Sequence, residues 1–181
     1  MRIGQLDTPA DLLQLTPDLQ PQTLDWLWVG IRAREGPVAA QRGLRAAAQV
    51  TVRAWWDDRL VAGRYLRAEG RLLLIDDARD VTGQQVEMQI ACSELVGLVG
   101  EYRPAEGVPV GCRVHLMHEA PVLDEMQRVT AYKTRAEVAV IEVGRPQPGD
   151  QLVVDGELYN VTDYADDTDD GVVRGLWLER P

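Results

Sequence analysis

Apolar and polar residues alternate along most of this chain, in short runs that end at turn residues. The alternation is clearest in residues 50–56, 85–92, 113–117, 135–143 and 172–178. A period of two is the signature of a β-strand, because successive side chains point to opposite faces. The pattern therefore predicts a mainly β protein made of short antiparallel strands.

One predicted strand, residues 24–33, is apolar on both faces. One face carries Leu24, Trp26, Trp28 and Gly30, and the other carries Leu27, Val29, Ile31 and Ala33. Such a strand is buried on both sides or belongs to a barrel.

The chain has no phenylalanine, so its tryptophans are expected to fill the core. These are Trp26, Trp28, Trp55, Trp56 and Trp177. Trp55 and Trp56 are adjacent on a strand and must point to opposite faces, so one of them is a candidate for an interface. A ligand-stacking platform is the alternative interpretation of the whole set.

Part of the chain occurs twice, with a constant offset of 86 positions (63 to 149, 70 to 156). Six of the eighteen residues in 63–80 are identical in the second copy, whereas composition alone gives about one or two. The identical residues are Gly63, Leu66, Gly70, Leu72, Asp77 and Asp80. An offset of this size is domain-sized, which indicates two domains of one fold in tandem.

Each copy contains a hairpin signal, Glu69-Gly70 in the first and Asp155-Gly156 in the second, flanked by β-forming residues. A two-residue type I′ turn needs positive φ at both central positions, which Asp-Gly tolerates well. Gly63 and Gly149 mark a further turn before each hairpin, and a polar turn and a closing strand follow it.

Glycine and proline concentrate between the two copies. Residues 96–111 contain six of them, which favours a first domain at 1–97, a linker at 98–111 and a second domain at 112–181. The predicted fold is two tandem small antiparallel β-barrels or sandwiches, with a minor short helix and long loops.

Two segments are less regular. Three prolines in residues 1–25 argue against a long helix and favour an extended arm with a first strand near residues 2–6. Residues 38–49 have a helix-favouring composition interrupted by Gly43. They form either a short helix or a loop that orders only on assembly.

The chain is acidic, with a net charge of −10, and Lys133 is its only lysine. This balance argues against wrapping nucleic acid, which needs a positive surface, but an acidic wall lets DNA slide past it. The sequence shows neither a signal peptide nor an apolar run of membrane-spanning length, so we expect a cytoplasmic origin and no membrane partner.

The candidate chemistry is weak. The acidic stretch with Asp166, Asp167, Asp169 and Asp170 resembles the start of an EF-hand loop, but Trp177 stands where a calcium-binding glutamate is required. A solvated turn, or a surface that repels DNA or faces a partner, is expected instead.

The two histidines and two cysteines give no clear site. His115 and His118, with Glu119, lie three apart on a predicted strand and so point to opposite faces, a poor geometry for a metal. Cys92 and Cys112 are expected to be reduced, buried thiols. We expect no enzyme activity, no metal and no cofactor.

The first half resembles the head-tail joining (adaptor, stopper) proteins of long-tailed bacteriophages. Residues 28–33, 50–53, 70–75 and 86–95 carry this resemblance. The second half resembles the related head-completion proteins of lambda-like phages, through residues 148–157 and 170–180.

The resemblance implies a structural virion protein. It implies a ring of about six or twelve copies at the head–tail junction, which completes the connector, contacts portal and tail proteins and lets DNA pass without sequence-specific binding. The implied location is the virion, with the host cytoplasm during assembly. The alternatives are a tail terminator or tail-completion protein, and a non-viral tandem β-barrel binding module.

The resemblance also implies that contacts are made by loops that order on assembly. The corresponding segments are residues 36–49 and 118–134. The candidate interaction residues in them are Gly36, Arg42, Leu44, Arg45, His118, Glu119, Met126 and Arg128.

Overall fold

Twelve β-strands and one short helix make up most of what the computed structural model describes, which is residues 6–33, 43–165 and 169–181. The chain forms two compact units, Met1–Leu95 and Val96–Pro181. Each unit is a closed antiparallel barrel of six strands. The mainly β fold class predicted from the alternation is therefore confirmed.

The first barrel closes when its first strand pairs with its fourth. Its strands are β1 (Thr8–Leu15), β2 (Pro21–Ala33), β3 (Arg45–Trp55), β4 (Tyr65–Ala68), β5 (Arg71–Asp80) and β6 (Glu87–Leu95). Their order around the barrel is β1-β2-β3-β6-β5-β4. Leu12, Val52, Leu66, Leu73 and Ile90 are buried in its core, as expected for inward positions of alternating strands.

The second barrel has the same order of strands and closes where β7 pairs with β10. Its elements are β7 (Leu98–Arg103), β8 (Val110–Leu123), β9 (Val129–Ala139), α1 (Val140–Val143), β10 (Gln151–Val154), β11 (Glu157–Ala165) and β12 (Val173–Glu179). Val114, Val138, Leu152, Tyr159 and Leu176 lie in its core.

The repeated sequence has the same backbone geometry in both barrels. Gly63 N–H donates to the carbonyl of Ile75 at 2.9 Å, and Gly149 N–H donates to that of Val161 at 2.8 Å. The hairpin turns have φ of 51° and 77° in the first copy and 51° and 78° in the second, as a type I′ turn requires. The β-bulge after Ile75 recurs after Val161. The shared sequence therefore encodes a shared hairpin, turn and bulge.

The positive φ of Gly156 gives a first prediction. An L-residue in this conformation brings its Cβ against the backbone, so we expect Gly156→Ala to lower the free energy of unfolding by about 1 kcal/mol. Gly111→Ala is the matched control, since that position has no positive φ and open space around a Cβ. Urea unfolding followed by circular dichroism measures both; equal stabilities would contradict the turn geometry.

Three sequence predictions about segments are wrong. Residues 98–111 are not a linker, because β7 and the start of β8 belong to the second barrel. The N-terminal segment is not a separate arm, since residues 8–15 form β1; residues 1–5 lie outside the described part of the chain. The short helix is α1, four residues long, and residues 45–49 belong to β3; residues 34–42 are not described.

Candidate functional site

A two-stranded hairpin arm, residues 118–133, extends from the second barrel. β8 pairs with β7 only as far as Val114, and β9 pairs with β12 only from Thr134. Between these points the two strands pair only with each other, from Ala120–Lys133 to Leu123–Val129. Residues 118–134 are therefore not a loop, as the sequence suggested, but a β-ribbon with two register shifts.

The tip of the hairpin arm is held by its own hydrogen bonds. Asp124 Oδ1 accepts from the backbone N–H groups of Met126 and Arg128, both at 2.9 Å. Asp124 N–H also donates to the Arg128 carbonyl at 2.9 Å. Carboxylate capping of this kind fixes a turn, so the arm presents a defined surface.

One face of the hairpin arm is apolar and open to solvent. Register places Pro121 opposite Tyr132, and Leu123 opposite Val129, so these four side chains share a face. Tyr132 is 66% exposed, Val129 50% and Leu123 47%, and Met126 at the tip is 72% exposed. A free two-stranded ribbon is only marginally stable in water, so this face is suited to covering by a partner.

The predicted interaction residues of this segment lie on or beside the hairpin arm. His118 and Glu119 are exposed at an irregularity in the β8–β9 register, where Glu119 has a φ of 56°. Met126 and Arg128 are exposed at the tip. The structure thus places two of these residues at the base of the hairpin arm and two at its tip.

The other predicted interaction segment is only partly described. Gly36 and Arg42 lie outside the described residues. Leu44 is fully buried, so the prediction that its side chain serves as a surface contact is wrong. Arg45 is exposed at the start of β3 and forms an ion pair with Asp76 at 3.3 Å.

The tryptophans of the first barrel are on its surface, not in its core. Trp26 is 52% exposed, Trp28 45%, Trp55 60% and Trp56 37%. The prediction that they fill the barrel is therefore wrong, and aliphatic residues fill it instead. We call the exposed set of Trp26, Trp28 and Trp55 the tryptophan platform; Trp56 follows the end of β3 and is not part of it.

The pairing register of β2 and β3 explains why these tryptophans point outward. Val29 pairs with Ala54 and both are fully buried, so the neighbouring residues Trp28 and Trp55 point outward side by side. The rings of Trp26 and Trp28 meet edge to face, with centroids 5.1 Å apart. A β-bulge in β2 at Leu24, between the pairs Leu12–Asp25 and Leu13–Thr23, lets Leu24 pack against the core although it shares sequence parity with the two tryptophans.

Charged residues bordering the tryptophan platform are paired with each other. Arg59 binds both Asp25 and Asp57, and Arg53 binds Glu87. A backbone hydrogen bond from Trp26 and the neighbouring Arg59 hold the pKa of Asp25 below its usual value. The platform is thus an aromatic surface whose neighbouring arginines are both held in ion pairs.

The acidic turn of the second barrel uses its described carboxylates for its own structure. Asp169 forms an ion pair with Arg174 at 2.9 Å, and Asp170 Oδ1 accepts from the N–H groups of Val172 and Val173. Asp166 and Asp167 lie outside the described residues. Within the described part of the chain no group of three or more His, Cys, Asp or Glu side chains is placed to hold a metal ion.

A buried carboxylate ties two loops of the second barrel together. Asp150 accepts hydrogen bonds from Tyr102 Oη at 2.5 Å, Ala105 N at 2.8 Å and Gln147 N at 2.6 Å. The carboxylate thus joins the β7–β8 loop to the turn before β10. We call this set of hydrogen bonds the Asp150 clamp. In the first barrel Leu12 corresponds to Tyr102 and Arg64 corresponds to Asp150, so the clamp is not repeated there. No sequence motif predicts this clamp.

The Tyr102 hydroxyl makes the stability of the second barrel depend on pH. Burial, and then the hydrogen bond to Asp150, raise the pKa of Tyr102 above its usual value of about 10. Above pH 10 the unfolded chain therefore releases this proton before the folded chain does, and stability is lost as pH rises.

We expect Tyr102→Phe to lower the free energy of unfolding by about 1 kcal/mol at pH 8. That difference should shrink as pH rises above about 10, because the variant has no hydroxyl to ionise. Urea unfolding between pH 8 and 11 measures it, with the exposed Tyr132→Phe as control. A constant difference across this range would contradict the assignment.

Both cysteine thiols have low reactivity. Burial raises the pKa of the Cys92 thiol and of the Cys112 thiol to about 12. A thiol with such a pKa is a poor nucleophile at neutral pH.

Among the described residues, no helix has the length and apolar character needed to cross a membrane. Two exposed apolar surfaces on small barrels are instead features of a protein that works by binding other macromolecules. The family model for phage head-tail attachment proteins matches residues 85–178, just over half of the chain. This chain therefore belongs to the phage head-tail attachment protein family, a family of structural proteins at the head–tail junction. No curated protein and no solved structure matches it.

The family match begins just before β6 and covers nearly all of the second barrel, including the hairpin arm and the Asp150 clamp. The resemblance of the second half to such proteins is therefore confirmed. Residues 1–84 lie outside the match, so the tryptophan platform lies on the part of the chain that this family model does not reach.

Proposed function

We propose that this protein forms a ring at the head–tail junction of a tailed phage, completes the connector beneath the portal and provides the surface to which the tail attaches. The observation that carries the proposal is the family match, which includes the exposed apolar hairpin arm. Membership of the family implies that the protein has partners in the head and in the tail. The ring, and direct contact with portal and tail proteins, are what we propose.

The hairpin arm supports a role in assembly. Its exposed apolar face is carried on a ribbon that is tied to the barrel only at its base. Such ribbons are stabilised when another chain covers them, and contacts between two different patches of identical chains close into rings. The arm is therefore suited either to a neighbouring copy or to a protein of the connector or tail.

The charge of the chain supports passage of DNA through the ring. A net charge of −10 disfavours phosphate binding, so DNA can move past an acidic surface without being held. The exposed Asp169 and Asp170 of the acidic turn are candidates for such a surface.

Deletion of the gene from its phage tests the proposed role. We expect DNA-filled heads and tails of normal length that do not join, and joining should be restored by adding the purified protein to the extract. Tails of irregular length would indicate a tail terminator instead, and normal virions would indicate a binding module outside the virion. Electron microscopy and plaque titre distinguish the three results.

The hairpin arm is tested in the same extract. Leu123→Asp places a charge on its apolar face, and we expect the variant to restore at least about tenfold fewer virions than the wild type. Val108→Ser is the matched control, since Val108 is exposed on the same barrel but outside the arm. Full restoration by Leu123→Asp would contradict the role of the arm.

A further inference from the structure

We infer that the hairpin arm of one copy docks on the tryptophan platform of a second copy. This inference rests on the proposed ring and names the contact that would build it. Arm and platform are different surfaces and every copy carries both, so the contact is heterologous and repeats from copy to copy.

The exposed area of the tryptophan platform fits a contact between proteins. The solvent-exposed parts of its three tryptophans sum to roughly 390 Å². One partner in a standard stable interface buries about 800 Å², so these residues alone supply about half of one side. Tryptophan and tyrosine are also the residue types that contribute most to binding at such surfaces.

The hairpin arm is a fitting occupant because it presents a matching set of large apolar side chains. Leu123, Val129 and Tyr132 share one exposed face, and Met126 extends from the tip. Met and Tyr pack well against aromatic rings, the first through its polarisable sulfur and the second edge to face.

Charge favours a second copy over a nucleic acid at the tryptophan platform. The arginines beside the indoles, Arg53 and Arg59, are already bound to carboxylates. They are therefore not available as a basic surface for phosphates, while an apolar contact with another acidic chain needs no net positive charge. Because each copy carries a charge of −10, added salt should screen repulsion and strengthen this contact.

A mixing experiment tests the contact. The platform variant carries Trp28→Ala and Trp55→Ala, and the arm variant carries Leu123→Asp and Tyr132→Ser. Native mass spectrometry and sedimentation velocity, up to the highest soluble concentration, should show oligomers for the wild type and monomers for each variant alone. Self-association of each variant should be at least about 30-fold weaker.

An equimolar mixture of the two variants should give a heterodimer and nothing larger. One variant retains an intact arm and the other an intact platform, so one contact survives for each pair. A monomeric mixture, a wild type that stays monomeric, or either variant assembling like the wild type would overturn the inference. Weaker assembly at higher salt would also overturn it, since that indicates an ionic contact.

A second measurement does not depend on weakening the interface. Chains with Met126→Cys and chains with Trp26→Cys are mixed with a short bis-maleimide, to which the buried Cys92 and Cys112 should not react. We expect a cross-linked heterodimer that needs both variants. Asp18→Cys is the control for Trp26→Cys, because Asp18 is exposed in the turn between β1 and β2, away from the platform. Equal cross-linking of the control would contradict the docking.

The extract assay separates this inference from the proposed function. If both the platform variant and the arm variant join heads to tails like the wild type, the docking is wrong while the proposed role stands. If the wild type itself joins nothing, the proposed role fails. Asp18→Ser and Val108→Ser serve as surface controls for the first and second barrels.

Discussion

Replacing Asp150 with alanine is expected to lower the free energy of unfolding by about 3–4 kcal/mol. The carboxylate accepts three hydrogen bonds, from a buried tyrosine hydroxyl and two backbone N–H groups. Alanine leaves all three donors without this acceptor in a region that water reaches poorly, and each unsatisfied donor costs about 1–3 kcal/mol. The loss also frees the β7–β8 loop from the turn before β10.

Denaturant unfolding of Asp150→Ala measures this loss. Glu106→Ala is the matched control, because Glu106 lies in the same loop and is exposed, and its replacement should change stability by less than about 0.5 kcal/mol. Asp150→Asn should be intermediate, since an amide keeps one acceptor but turns a donor toward the N–H groups. Equal stability of the wild type and Asp150→Ala would mean that the clamp contributes nothing to the fold.

The repeated hairpins could be predicted from the sequence because their geometry is local. Asp155-Gly156 and Glu69-Gly70 occupy two successive positive-φ positions, a requirement that few residue pairs satisfy. The alternation of apolar residues along 50–54 and 135–139 likewise reports directly on the inside of a barrel. Fold class and internal duplication follow from these signals alone.

The location of the tryptophans could not be predicted in the same way. Alternation separates two faces of a strand but does not say which face is inside when both are apolar. Val29 and Ala54 face inward with the other aliphatic residues of the core, and this leaves Trp28 and Trp55 outside. The β-bulge that turns Leu24 inward depends on pairing with β1, a strand that the sequence placed near residues 2–6 and not at residues 8–15.

Predictions based on prolines and glycines were wrong where the surrounding fold overrides the local conformational preference of these residues. Pro9 lies in β1 opposite Trp28, so a proline did not end that strand. Gly100 suggested a linker, yet it lies in β7 between β8 and β10. In this position glycine is required by the close approach of a neighbouring side chain, a fact that only the folded barrel reveals.

Gly100→Ala is expected to lower the free energy of unfolding by about 2–3 kcal/mol. A Cβ at this position would meet Val114 Cγ2 at 2.7 Å and the Val153 carbonyl oxygen at 3.1 Å. Gly100 is paired with Cys112 on one side and Val154 on the other, so the strand cannot shift to relieve the clash. Without this contact, alanine in a strand would be slightly stabilising, so Val114 decides the sign of the effect.

Val114→Ala provides the test of that cause. The single change leaves a cavity beside a fully buried position and destabilises the barrel, but it also removes the atom that a Cβ at position 100 would strike. The double variant should therefore be more stable than the two single losses together predict, by about 1–2 kcal/mol. Additive losses in denaturant unfolding would show that Gly100 is needed for a reason other than this contact.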